Sequence, residues 1–191
     1  DSIDTLSRPY LPLALFYAEV GPSRQARGWL NRYLRELPAE FRGPDRWLWH
    51  RAQAAVYQAE GRPEQALGEF LQAVQVPALR VGMFDDELLP TADYPELARL
   101  YDQSGLPDSA MAVYERYVNV RPLSRMNTDA FELGLALSRL GFLYDQRGDR
   151  ARAAAQYERL ENLWREADAS VKPLVDTARQ LRWRDPTRPR G

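Results

Sequence analysis

The chain has 191 residues, 45% hydrophobic and 28% charged, a balance that fits a globular protein and excludes a disordered one. Its formal net charge of −1 lacks the dominant positive field that wrapping nucleic acid requires, and with no cysteine neither disulfides nor thiolate chemistry can arise. The longest apolar stretch, Leu11 to Ala18, falls far short of the roughly 20 residues that span a bilayer, so no membrane span is expected.

The residues after Asp1 show no basic stretch leading into an apolar core, so no secretory leader is read there. Without a Met at its start, the chain is expected to be a piece of a longer protein. Lys172 is the only lysine among 26 basic residues, an arginine bias that points to a GC-rich bacterial genome. The cytoplasm is the favoured compartment, although composition does not fix it.

In chain order, Tyr10, Leu13, Ala14 and Tyr17 fall at i, i+3, i+4 and i+7, one apolar helical face. Gly21 suits a left-handed helix cap, and a second helix follows through Ala26 and Leu30 to Pro38. A second pair of helices carries Ala54, Tyr57, Gly61, Ala66 and Phe70, with His50 and Gln53 where large apolar residues are expected. The third reads Tyr94, Leu97, Ala98, Tyr101, Gly105, Ala110, Tyr114 and Pro122; the fourth reads Leu137, Leu140, Gly141, Tyr144, Gly148, Ala153 and Tyr157. Pro63 and Pro107 sit where a second helix should start, a position that tolerates proline. The stretches Phe41–Arg46, Val81–Pro90 and Arg125–Leu133 read as longer turns or helix extensions between pairs. Ser170 and Pro173 mark the start of a last helix with Val171, Leu174, Val175, Ala178 and Leu181 on one face. That face is expected to cover Tyr157, Leu160, Leu163 and Trp164, and residues 185–191 are expected to fray.

The four pairs are one repeated unit. A tyrosine precedes a glycine by four residues and an alanine by nine at Tyr17, Tyr57, Tyr101 and Tyr144, spaced 40, 44 and 43 residues apart. Ten tyrosines and eleven glycines in this length give about 0.6 tyrosine–glycine pairs by chance, against four seen. The pattern resembles the tetratricopeptide (TPR) repeat, whose consensus runs W-x2-L-G-x2-Y, then A-x3-F, then P. That resemblance implies an all-α fold, an αα-superhelix of four helix–turn–helix repeats at about 7–40, 47–80, 91–124 and 134–167. A C-terminal capping helix over 171–184 closes the last apolar face, which a repeat stack needs. Residues Tyr157, Glu158, Arg159, Leu160, Leu163, Trp164, Ala167, Asp168, Pro173, Ala178 and Leu181 are also similar to the C-terminal end of such regions in large bacterial regulators, serine/threonine protein kinases and transcriptional activators. There Pro often follows the Ala-Asp pair, where this chain has Ala169.

Catalytic motifs are missing: Lys172 follows Val171 rather than the glycine of a P-loop, and His50 is followed by Arg51-Ala52 rather than by the Arg-Asp of a kinase. One histidine and no cysteine leave most zinc sites and Cys–His pairs unbuildable, so no metal, cofactor or catalytic residue is expected. His50 reads as a packing residue, and Asp85-Asp86-Glu87 as a solvated junction, because neighbours along a chain diverge. Arg179, Arg182, Arg184, Arg188 and Arg190 around Trp183 read as a solvated tail rather than a nucleic-acid contact. The resemblance further implies that first helices line a groove beside their packed face. That assigns Arg51, Ala55 and Gln58, then Arg99, Asp102 and Gln103, then Ser138, Phe142, Asp145 and Gln146 as candidate partner-binding residues. The first unit contributes Leu11 and Leu15, where the subclass gripping chaperone C-terminal carboxylates carries Lys and Asn, so that subclass is rejected. The expected function is a non-catalytic protein–protein interaction module of a regulatory protein, with protein or peptide as partner. The alternative is a structural scaffold subunit.

Overall fold

The helical periodicity is realised throughout the computed structural model, which describes residues 4–43, 45–75, 93–119, 131–166 and 168–183. Among these residues there are nine α-helices and no strand. They are α1 (Tyr10–Val20), α2 (Ser23–Glu36), α3 (Arg46–Ala59), α4 (Pro63–Gln75), α5 (Tyr94–Gln103), α6 (Pro107–Asn119), α7 (Glu132–Gln146), α8 (Arg150–Leu163) and α9 (Lys172–Trp183). Single 3-10 turns occupy Thr5–Ser7 and Ala39–Phe41. The Arg42 guanidinium closes the end of α2 by donating to the Leu37 carbonyl at 2.9 Å and to Leu34 at 2.6 Å, two groups the helix itself leaves unpaired. Most of the other two junctions, with Asp85-Asp86-Glu87, Pro122 and the 185–191 tail, lies outside the described residues.

Three of the four repeat glycines adopt the left-handed conformation, with φ of 71° at Gly61, 71° at Gly105 and 76° at Gly148. Each is followed by a residue whose N–H reaches back to the repeat tyrosine: Arg62 to Tyr57 at 2.9 Å, Leu106 to Tyr101 at 2.9 Å, Asp149 to Tyr144 at 3.0 Å. These are Schellman caps. Gly21 departs from that expectation, since its φ of −128° is extended backbone. It alone precedes a proline, Pro22, and the proline ring pushes the residue before it into extended conformation. At α8, Asp149 adds a side-chain cap, accepting from the Arg152 N–H at 3.1 Å.

The chain forms two compact units, one of residues 1–83 with 103–105 and one of 84–102 with 106–191. In the first, Tyr10, Ala14, Ala26, Leu30, Tyr33, Ala52 and Val56 share one apolar cluster. Leu11 is buried in it as well and is not groove lining, contrary to the face assigned from the sequence. The polar residues at the weakest repeat positions are absorbed by hydrogen bonds: His50 Nδ1 lies 2.7 Å from Glu69 Oε2 of α4, and Gln53 accepts from Arg27 Nη1 of α2 at 3.0 Å.

In the second unit the small residues Ala98, Ala110, Gly141 and Ala153 are buried where paired helices meet. α9 packs on α8, its Val175 and Ala178 buried and Val171 and Leu181 against the same cluster. Two residues leave the expected contact: Leu163 and Leu174 are exposed. Tyr157, Leu160 and Trp164 define the stripe on the α8 side and Val171, just ahead of α9, with Val175 and Ala178 of α9 the stripe facing it, and Leu163 and Leu174 fall off their edges. α9 itself opens at Lys172 with Pro173 in its first turn, two residues after Ser170.

Candidate functional site

Within the second unit, α5, α7 and α9 enclose a groove of about 420 Å³, with Tyr114 of α6 and Tyr157 of α8 also lining it. Pro95, Leu135, Ala136, Phe142, Ala178 and Leu181 supply its apolar lining. The charged residues along it are already matched. Arg139 of α7 makes a two-pronged ion pair with Asp102 of α5, Nε to Oδ2 at 2.5 Å and Nη2 to Oδ1 at 2.9 Å. Arg99 of α5 donates to Glu132 of α7 at 2.7 Å and to Glu96, one turn back, at 2.7 Å. The Arg139 guanidinium also lies 4.6 Å from the centre of the Phe142 ring, one turn on along α7.

Burial works against the Arg99 charge, and the hydrogen bonds and charges of Glu96 and then Glu132 outweigh it, leaving the pKa raised. Hydrogen bonding to Asp102 raises that of Arg139. Burial, with the Asp102 charge behind it, pushes the Tyr114 hydroxyl up to about 12; burial and Asp145 do the same for Tyr157. Both phenols stay neutral and far from the range where a general base works. The Tyr157 hydroxyl is buried without a hydrogen-bond partner. The groove is thus an apolar trough with ordered ion pairs along it and the buried Tyr157 hydroxyl in its lining.

Of the residues assigned from the sequence, Arg99, Asp102, Ser138 and Phe142 come together in this groove, whereas Gln103, Asp145 and Gln146 are exposed outside its lining. Arg51 turns toward its own hairpin, its guanidinium 5.2 Å from the Phe70 ring centre. Gln58 donates to Gln103 at 3.1 Å within the first compact unit. Sequence reasoning missed Arg139, Glu132 and the α9 residues Thr177, Ala178 and Leu181. Arg139 was within reach, since it lies three residues before Phe142 on one helical face. Among the described residues no group of His, Asp and Glu is placed to hold a metal, and no helix is long and apolar enough to cross a membrane.

No protein-family model matches the chain, and no curated protein matches it. Solved structures do. The nearly identical TPR-like repeats of a kinesin-light-chain-like protein from Podosopora anserina align over 95% of this chain and 86% of that one, with a TM-score of 0.61 and 20% identity. A point variant of the same repeats gives 0.62 over 94% and 85%, again at 20% identity. BtubC (BKLC) from P. vanneervenii aligns over 91% and 78% with a TM-score of 0.52 at 19% identity. The fold is therefore that of TPR-like helical repeats.

Proposed function

We propose that the chain is a non-catalytic interaction module that takes a protein or peptide segment through the faces of its first helices. The observation that supports this most directly is the groove of the second unit, where an apolar lining is flanked by two arginines and two carboxylates that neutralise each other. A charged ligand would have to break these ion pairs, leaving a partner group stranded, which costs more than the new contact returns. An apolar or aromatic side chain would only displace water from the trough, gaining about 1.5–3 kcal/mol for a large residue. The segment bound is thus one anchored by an apolar side chain, with Arg99, Asp102 and Phe142 beside it. Gln146, one turn beyond Phe142 on α7, is proposed as a contact for residues flanking that anchor; Arg51, Gln58 and Gln103 are proposed as partner contacts of the first unit by itself.

The wider setting, the repeat region of a bacterial regulatory protein, is proposed on the stretch from Tyr157 to Leu181 and on the arginine bias. Selection of displayed peptides on the chain tests the binding site. Enriched peptides should carry a shared apolar or aromatic residue and lose at least about tenfold in affinity to Phe142→Ser, which is 1.4 kcal/mol. Peptides that bind Phe142→Ser as tightly as the parent would sink this reading. A partner held instead in a constitutive complex of constant stoichiometry, whatever residue 142 is, would favour the scaffold alternative.

A further inference from the structure

The register of the repeat allows one position, just ahead of the repeat tyrosine, to be compared between first helices. In α3 it is Val56, 0% exposed and clustered with Tyr10 of α1 and Leu30 of α2. In α7 it is Leu143, 2% exposed and clustered with Met111 and Val118 of α6. Correspondingly, α1 packs on α3 and α6 packs on α7. The preceding hairpin seals the position in both cases. In α1 the same position is Phe16, 54% exposed. One turn on, where α3 and α7 are followed by the polar Glu60 and Arg147, α1 carries Val20, 68% exposed. Glu19 is the only charged residue in α1, so the helix is apolar nearly all round, the composition of a helix covered on both sides.

We propose that the Phe16–Val20 face of α1 is an inter-repeat interface, built to receive one further helical hairpin of the same repeat type, seated as α1 and α2 are seated on α3. The occupant follows from the chain's own geometry, because in α3 and in α7 the preceding hairpin covers this position. The inference is independent of the groove, which lies in the other compact unit.

The absence of cysteine provides the test, since Phe16→Cys, Val56→Cys and Leu143→Cys each introduce a single thiol. In the chain as it stands, the thiol at 16 should react with a maleimide at the rate of an exposed cysteine, and those at 56 and 143 at least about 100-fold slower. Duplicating residues 5–44 ahead of Thr5 keeps the 40-residue period between Tyr17 and Tyr57 and supplies one more hairpin. In that extended chain the thiol at 16 should slow at least about tenfold. An unchanged rate overturns the proposal, and so does a faster thiol at 56, which would mean that the added hairpin disrupts the stack instead of joining it. Sedimentation of the unextended chain should give a monomer. A dimer that Phe16→Asp dissociates would assign the face to a second copy and overturn the proposal too.

Discussion

A β-carbon added at Gly141 would stand 2.6 Å from the Tyr157 ring, closer than such atoms pack. The residue is glycine because α7 and α8 touch there. Gly28 and Gly68 also lie inside helices, α2 and α4, but face open space. Alanine in a helix interior is worth roughly 0.5–1 kcal/mol over glycine, so Gly28→Ala and Gly68→Ala should each stabilise by about that amount. At Gly141 the same gain meets an overpacking cost of about 1–3 kcal/mol, and the cost wins. Gly141→Ala should therefore lower the denaturant midpoint while the other two raise it; a common direction for all three would refute the close contact. Titration gives a second check at this scale. Hydrogen bonding to Arg32 above all, opposed by burial and reinforced by Tyr10 and Arg8, holds the Glu36 carboxyl down at about 2. A carboxylate with a depressed folded pKa contributes stability that is present above the usual carboxylate range and disappears as pH falls toward 2. The melting-temperature gap between the parent and Glu36→Gln should accordingly be widest near neutrality and close between about pH 5 and pH 2.

Among the elements, α9 tests how far a helix can be a structural cover. Val175 and Ala178 are buried in the cluster that also holds Tyr157, Leu160 and Trp164. Deleting residues from Val171 onward would remove Val175 and Ala178 from that cluster and uncover part of its surface, where fully burying one large side chain contributes about 1.5–3 kcal/mol, against a total stability of about 5–15 kcal/mol. The truncated chain should melt at least about 5 °C lower or aggregate, while deleting residues 185–191 alone should leave the midpoint in place. Equal melting of the long truncation and the parent would make α9 a linker. This element was legible in the sequence because Val171, Val175 and Ala178 keep helical spacing, as do the tyrosine, glycine and alanine that mark each hairpin. Its exact contact stripe was not: spacing alone places Leu174 with the packed residues, and only the seat of α9 on α8 leaves it exposed. Four groove residues were readable from helical spacing, Arg99 and Asp102 on one side of α5, Ser138 and Phe142 on one side of α7. Arg139 shares a helical face with Phe142, but its pairing with Asp102 depends on how closely α5 approaches α7. Thr177 and Leu181 could not be assigned to the groove without knowing that α9 closes it. Gly21 shows the opposite limit, a local rule about proline that was available in the sequence and overrode the glycine rule.

At the scale of the molecule, each compact unit has an apolar cluster of its own, and the packing that builds it runs between neighbouring helices: α1 with α2 and α3, α3 with α4, α6 with α7, α7 with α8, α8 with α9. Stability in such an array is a sum of the hairpins' own stabilities and the interfaces between neighbours. A disturbance at one end should then be felt next door and fade with each interface crossed. Hydrogen exchange reads this directly, because amides in different parts of the chain report local opening separately. Removing α9 strips the cover from α8, and α7 shares α8's cluster. Amides of α7 and α8 in the chain truncated at Val171 should therefore exchange at least about tenfold faster than in the parent. Those of α1 and α2, whose buried residues belong to the other cluster, should change by less than about twofold. A uniform acceleration across all helices would mean that the chain opens as one cooperative body, and the nearest-neighbour account of its stability would fail.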